Sequence, residues 1–404
     1  SLGLSAVGGI LFLGGGSTVT IAQRMFEGMN SFALLAIPLY TFAGFTMSKG
    51  GISKRLMDFC YSIVGHIYGG LAHVNVLSSM IFAGISGSAV ADTAGVSGMF
   101  MPEMIRKGYS KNFTVAVTAI SSTIGIIIPP SIPMVVIAGI CGISTGKLFL
   151  GGIIPGILCG LAQMIVSYFM AKKEGVPKEP GHFTIGPVLH GLWESWPALL
   201  MPIIIVGTIT MGIVSPTEAG VIAVVYGLFA GGIIYRELKW EDIKFAFAET
   251  VRTSGRIFIV IGAAKLYTVM LTTAGFDKWV AKTMLGFSTN PTVILIMILL
   301  IFFIVTMFME SIATLTLFMP ILYPIALGVG IDPIVLSVLI TVVIGVGLVT
   351  PPVGMCIYVA CDLMDVTVGE VFPTLVPFIA ATFVCIALMV AFPQLILLPT
   401  YLMA

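Results

Sequence analysis

The sequence predicts an all-α polytopic membrane protein made of two inverted-topology repeats, each carrying a re-entrant helical hairpin and a broken helix. Three observations predict it. Of 404 residues, 58% are hydrophobic and 9% charged, against roughly 25% charged in soluble domains. No soluble fold of this size hides so much apolar surface, so lipid is the solvent for most of it. The apolar runs are continuous, without the ~10-residue alternating segments of a transmembrane barrel. Second, two pairs of runs are separated by only two or three residues. Third, the chain matches itself at one fixed offset.

From the N-terminus, apolar runs cover about 1–16 and 31–48, the pair 72–85 and 89–105, then 112–128 and 147–170. The second half has runs at about 196–213, 217–234 and 256–273, the pair 292–308 and 311–328, then 334–349 and 370–400. Several reach only 16–18 residues, short of the roughly 20 that a span needs. The gaps inside the two pairs are too short for a loop at the membrane surface, so each pair reads as a re-entrant hairpin. The chain opens in apolar sequence at Ser1 with no basic n-region, so no cleavable signal is expected in it.

These elements divide the chain in four. Residues 1–30 form an N-terminal scaffold helix and connection. Residues 31–170 form the first repeat, with its hairpin at 72–105 and broken helix at 112–142. A cytoplasmic linker (AKKEGVPKEPGHF), a scaffold hairpin and an amphipathic surface helix (YRELKWEDIKFAFAETVRTSGR) fill 171–250 and its border. The second repeat takes 251–404, with its hairpin at 292–328 and broken helix at 334–364. With both hairpins re-entrant, 14 of the 19 Lys and Arg fall on one side, which the positive-inside rule makes cytoplasmic.

The offset is 324 − 102 = 222. It lays Pro102 on Pro324, Gly108 on Gly330, Gly125 on Gly347 and Pro129-Pro130 on Pro351-Pro352. Thr145 then meets Thr367, Pro155 meets Pro377, and Ser88 meets Glu310 without a gap. The agreement falls on residues that shape the backbone. Arg106, Lys107 and Lys111 flank the first copy, whereas Asp332 with no nearby base flanks the second. That charge asymmetry points the copies in opposite directions, an architecture of many secondary transporters.

Each copy is interrupted twice, at a hairpin tip (ISGSAVAD, FMESIATLT) and at a broken helix (GIIIPPSIP, GLVTPPVG). Proline lacks an N–H and clashes with the carbonyl four residues earlier. Pro129 and Pro130 are therefore expected to free the carbonyls of Gly125 and Ile126, and Pro351 and Pro352 those of Gly347 and Leu348. An unpaired carbonyl in hydrocarbon costs several kcal/mol. Sodium, hard and oxygen-seeking, suits such carbonyls together with hydroxyls. Helix N-termini beside it offer N–H groups to an anionic substrate.

The expected sodium set is Ser88, Gly125, Ile126, Pro129, Glu310, Ser311, Thr314, Gly347, Leu348 and Thr350. The expected substrate set is Ser86, Gly87, Ser88, Asp92, Ser131 and Thr350. The hydroxyls among them are either ligands or bonded back to their own helix turn. Glu310 and Asp92 are acids at membrane depth, functional candidates by default. Asp92 has a second reading, stabilising the dipole of the second hairpin helix. Lys265 is an isolated base in an apolar helix, for which a structural ion pair is expected. Asp362 is a cation partner or lies at the inner surface. His66 and His73 are expected at the interface, and the six cysteines as buried small hydrophobes. Net charge of +1 implies no nucleic-acid partner. No HExxH, paired-Asp or Ser–His constellation points to an enzyme.

The motifs SGSAVADTAG…IIPPSIP and ESIATLTLFMP…VTPPVG, with AIPLYTFAG and GGIS ahead of them, resemble the large membrane subunit of TRAP (tripartite ATP-independent periplasmic) transporters over essentially the whole chain. The resemblance implies a bacterial inner-membrane importer of carboxylates such as C4-dicarboxylates or sialic acid. It implies sodium as the coupling ion, with no other cofactor. It further implies a small membrane (Q) subunit, a periplasmic substrate-binding (P) protein and an elevator mechanism. Ser86–Ser88 would be the inner tip, Glu310–Ser311 the outer tip, and Pro129–Ser131 and Thr350–Pro352 the facing breaks. Lys265 departs from the apolar pattern expected. The rival within transport is a single-subunit sodium–dicarboxylate carrier of related fold. A channel fits sealed re-entrant tips less well.

Overall fold

The computed structural model describes residues 2–12, 18–176 and 183–403. The end of the first apolar run and the centre of the linker, Lys178 included, lie outside the described residues. Helices dominate throughout. The first half holds α1 (Leu2–Phe12), α2 (Thr18–Met29), α3 (Ala36–Lys49), α4 (Ile52–Val64), α5 (Gly70–Ser86) and α6 (Ala89–Arg106). It continues with α7 (Lys111–Ser122), α8 (Ile132–Cys141) and α9 (Thr145–Glu174). The second half holds α10 (Ile185–Thr210), α11 (Pro216–Phe229), α12 (Trp240–Thr273), α13 (Phe276–Phe287) and α14 (Pro291–Thr306). Then come α15 (Ser311–Gly328), α16 (Pro333–Gly347), α17 (Met355–Met364) and α18 (Val368–Ala391).

Local chemistry sets many of the starts. Asn290-Pro291, Asp332-Pro333 and Ser215-Pro216 each place a capping side chain before a proline at the first helical position. The cap satisfies N–H groups that have no intrahelical partner, and proline has none to lose there. Among the described residues, α9, α10, α12, α15, α18 and the stretch Pro216–Ile234 are long and apolar enough to cross a membrane. Helices α5, α8, α14, α16 and α17 are apolar but shorter.

The offset of 222 holds in the elements themselves. Adding it to α6 (89–106) gives 311–328, both ends of α15, and adding it to the start of α7 gives 333, the start of α16. Helices α8 and α17 agree within one residue, as do the starts of α9 and α18, and α5 and α14 within two.

Two sets of helices emerge from the packing. Helices α2, α3, α10, α11 and α12 pack in succession, whereas α5 to α9 pack with α14 to α18. Within the second set the repeats cross over: α8 lies on α15, and α17 lies on α6 and α7. Helices α7 and α16 form its centre, with Phe113–Ser122 and Ile334–Gly347 buried throughout.

Three expectations need correction. The amphipathic stretch before Arg256 is not a separate surface helix, because from Trp240 it is the first half of α12. That helix runs unbroken for 34 residues, about 51 Å at 1.5 Å per residue. It contains no proline, and Phe245 and Phe247 pack edge-on against Phe45 and Phe42 of α3. Lys49 sits 4.9 Å above the Phe245 ring, so one face of this half rests on α3 while Trp240, Phe247 and Val251 stay exposed. Next, His73 is buried, its Nε2 3.2 Å from the Tyr68 carbonyl. Finally, Lys265 has no ion pair among the described residues, and its stem packs over Gly28 of α2. Helices α2, α4 and α13 were not expected. Their polar and charged residues read as connections because the apolar runs alone were used to place helices.

Candidate functional site

The first tip forms where α5 stops at Ser86. Gly87 takes a left-handed φ of +64°, and a Cβ there would collide with the Pro130 carbonyl. Ser88 caps α6, accepting from the Ala91 N–H at 3.4 Å. The Ile132 N–H donates to the Gly87 carbonyl at 3.1 Å. Tip and break are thus joined by main chain, which is why the residues between α5 and α6 are small.

Asp92, one turn into α6, is completely buried. Ser86 donates a hydrogen bond to its Oδ1. Its Oδ2 has no hydrogen-bond partner among the described residues. That oxygen points at Gly125 in the first break, so closely that a Cβ on Gly125 would overlap it. The Ser88 carbonyl oxygen lies 3.5 Å from the same Cβ position. An unpartnered carboxylate oxygen in a dry interior costs far more than a neutral polar group.

The second tip solves its chemistry differently. Glu310, half-buried, caps α15: Oε2 accepts from the Ile312 N–H at 2.8 Å and the Ala313 N–H at 3.2 Å. Oε1 accepts from the Ser311 hydroxyl at 2.6 Å. Thr314, buried at the position equivalent to Asp92 (92 + 222 = 314), donates to the Glu310 carbonyl at 3.0 Å. The Val353 N–H donates to the Met307 carbonyl at 2.9 Å, joining this tip to the second break.

Both breaks contain a cis X-Pro bond, Pro129-Pro130 and Pro351-Pro352. Three of the four carbonyls expected to be free accept hydrogen bonds. Ile126 accepts from the Ser131 hydroxyl at 2.5 Å, Leu348 from the Cys356 N–H at 2.9 Å, and Gly347 from the Thr350 N–H at 3.1 Å. After each proline pair the chain folds back onto one carbonyl, Ile126 in the first break and Leu348 in the second, whereas Gly347 is bonded from Thr350, just before the second pair. Ser131 also caps α8, accepting from the Met134 N–H at 3.3 Å. Thr350 bonds back to the Val346 carbonyl at 2.7 Å.

The structure therefore gathers Ser86, Gly87, Ser88, Asp92, Gly125, Ile126, Pro129 and Ser131 at one joint. At the other, Glu310, Ser311 and Thr314 bond at the start of α15, and the tip meets the break through Met307 with Val353 and Thr306 with Gly347. The joints are coupled: Thr123 and Gly345, equivalent under the offset (123 + 222 = 345), face each other, a Cβ on Gly345 lying 3.3 Å from that of Thr123. Cys356 at the start of α17 contacts Thr93, next to Asp92. Asp362 lies exposed near the end of α17, and Lys265 lies on α12 with its stem over Gly28 of α2. Sequence reasoning missed Thr93 and Cys356, and a polar group (Asn75, Ser79, Thr118, Ser121) whose three- and four-residue spacings were a usable signal.

Fold and site together define a polytopic α-helical membrane transporter. The chain belongs to the family of the tripartite ATP-independent periplasmic transporter, DctM component, whose model matches residues 1–395; it is a large permease subunit of that family. The sialic acid TRAP transporter large permease protein SiaM of Vibrio cholerae is 36% identical over 377 residues, 93% of this chain and 88% of SiaM. The C4-dicarboxylate TRAP transporter large permease protein DctM of Pseudomonas aeruginosa is 34% identical, covering 100% of this chain and 94% of its own. The isethionate TRAP transporter permease protein DctMQ of Oleidesulfovibrio alaskensis is 36% identical over 94% of this chain, which spans 60% of that longer protein. Among solved structures, the Alcanivorax borkumensis YdaH transporter shares the fold with a TM-score of 0.62 at 13% identity, over 93% of this chain and 88% of YdaH.

Proposed function

We propose that this chain forms the transport path of a sodium-coupled importer for a small organic anion in the bacterial inner membrane. It works with a small membrane subunit and a periplasmic protein that delivers the substrate. One observation carries the sodium reading: the enclosed Asp92, whose Oδ2 has no partner and faces Gly125 and the Ser88 carbonyl. A bound cation balances that charge and is the ligand such an oxygen set selects. Asp92 thus moves from the substrate set to the sodium set. Thr314, Gly347 and Thr350 offer an uncharged second seat at the equivalent joint, with Glu310 and Ser311 closing its tip. The anion binds between the joints, at the N-terminal ends of α8 and α17 beside Ser131 and Gly87, where the helix dipoles favour negative charge.

Substrates named for the relatives (sialic acid, C4-dicarboxylates, isethionate) are all organic acids, which supports the class without selecting a member. The matched repeat elements, and the contact of Thr123 with its own counterpart, support an inverted pair about a two-fold axis through the breaks. The two packing sets support an elevator in which the repeat set moves against the α2–α3–α10–α11–α12 set. Membership in a tripartite family favours this reading over a single-subunit carrier.

The test is uptake of sialic acid or a C4-dicarboxylate into proteoliposomes containing the chain, its small subunit and the delivering protein. Uptake is expected with an inward sodium gradient and not with potassium. Equal uptake in both overturns sodium coupling; uptake without the other two proteins overturns the partners.

A further inference from the structure

Helix α5 carries five polar residues (His73, Asn75, Ser78, Ser79 and Ser86) where a hairpin arm in lipid could be wholly apolar, and two of them, Asn75 and Ser79, join α7. The Asn75 amide donates to the Thr118 hydroxyl at 2.7 Å, and the Asn75 carbonyl oxygen accepts from the Ser121 hydroxyl at 3.0 Å. Ser79 donates to Ser121 at 3.0 Å, and Asn75 Nδ2 lies 3.8 Å from Met104 Sδ on α6. One buried amide therefore touches both arms of the first hairpin and the helix leading into the first break.

We infer that Asn75 is a positioning residue for the cation seat at Asp92, setting the register of α5 against α7. The inference rests on the reading of that seat as a sodium site. Both helices run toward the joint, α5 into Ser86 and Gly87, α7 into Gly125. The bonds advance together, Asn75 to Thr118, Ser79 to Ser121, then Gly87 to Ile132. Slippage of one helix along the other would break the last bond and pull Ser86 and the Ser88 carbonyl away from Gly125. Dispersion between apolar side chains tolerates such slippage, whereas hydrogen bonds with no competing water do not.

The second copy supplies the contrast. At the offset of 222, Asn75, Ser79, Met104, Thr118 and Ser121 become Met297, Ile301, Ala326, Ile340 and Val343. The polar ladder is thus absent from the copy where the acid is replaced by Thr314. Ladder and acid occur together, as expected if a charged seat needs tighter geometry than a neutral one.

Sodium chloride, titrated against choline chloride at constant ionic strength, is the probe, and the melting midpoint of the full-length protein in lipid nanodiscs is the readout. Thr118→Val keeps the side chain's shape and removes the acceptor. It is expected to raise the half-saturating sodium concentration about tenfold or more, in the range found when outer partners of metal ligands are lost. Asn75→Leu should do the same, while Thr118→Ser, which restores a hydroxyl, and Ile340→Val in the second copy leave it unchanged. If Thr118→Val and Asn75→Leu lower the melting midpoint but keep the wild-type half-saturation, the ladder is only structural and the inference falls. Should Asn75→Leu fail to fold, Thr118→Val alone decides. If the wild-type protein shows no sodium-specific stabilisation, the seat itself falls and this inference with it.

Discussion

Asp92 and Glu310 look alike in the sequence, each an acid within a few residues of a hairpin tip. The structure separates them by what their oxygens touch. Glu310 accepts three hydrogen bonds at the start of α15. Asp92 accepts one, from Ser86, and has a bare oxygen in the interior. Asp92→Asn, which keeps the volume and can keep the Ser86 contact, should therefore abolish sodium-specific stabilisation in the same salt titration. Glu310→Gln retains an acceptor for the N–H groups, so it should leave that response intact and cost about 1 kcal/mol of stability, as for a weakened cap. Loss of the sodium response in Glu310→Gln alone would reverse the two assignments. Sequence reasoning named both acids. It placed Glu310 with sodium and Asp92 with the substrate, because residue spacing does not tell which oxygens the folded chain leaves unpaired.

At the scale of elements, the joint between hairpin and broken helix is the unit that matters, and it was half legible. Short gaps between apolar runs and the repeated Pro-Pro pairs located both interruptions. The carbonyl accounting failed for Ile126, Gly347 and Leu348, because proline's effect on the preceding turn was foreseen but the local turn at Thr350 and the return of the following segment were not. Ser131 and the Cys356 N–H reach back across each break, a long-range arrangement that residue spacing does not encode. Gly87 holds the first joint together, so Gly87→Ala should be much worse than a generic left-handed glycine replacement. Gly142, at φ +67° with open space around it, is the control. Gly142→Ala should cost about 1–2 kcal/mol from backbone conformation alone, whereas Gly87→Ala adds a collision with the Pro130 carbonyl. Equal losses in thermal melts would mean that tip and break are not in contact.

For the whole molecule, composition established the solvent and the offset established the internal duplication, since both are properties of many residues at once. The crossing of the repeats was not legible: nothing in α8 says that it lies on α15 rather than on α6. Direction in the membrane rests on charge, with Lys107 in one copy and Val329 at its equivalent (107 + 222 = 329) in the other. Single cysteines at these two positions should react with an impermeant reagent from opposite sides. Five of the six native thiols are buried, which keeps the background low. Reaction of both from one side would make the copies parallel.

The crossing of the repeats also has a consequence in time. Asp92 is covered in part by α17, which begins 355 − 92 = 263 residues later. At roughly 5–20 residues per second, a ribosome needs roughly 13–53 s to make that interval. Throughout it the acid sits in a half-built protein with one wall missing, at a depth where charge is costly. The seat is a product of the finished chain, and a ribosome that stalls inside this interval leaves an acid in the membrane that its own repeat cannot enclose.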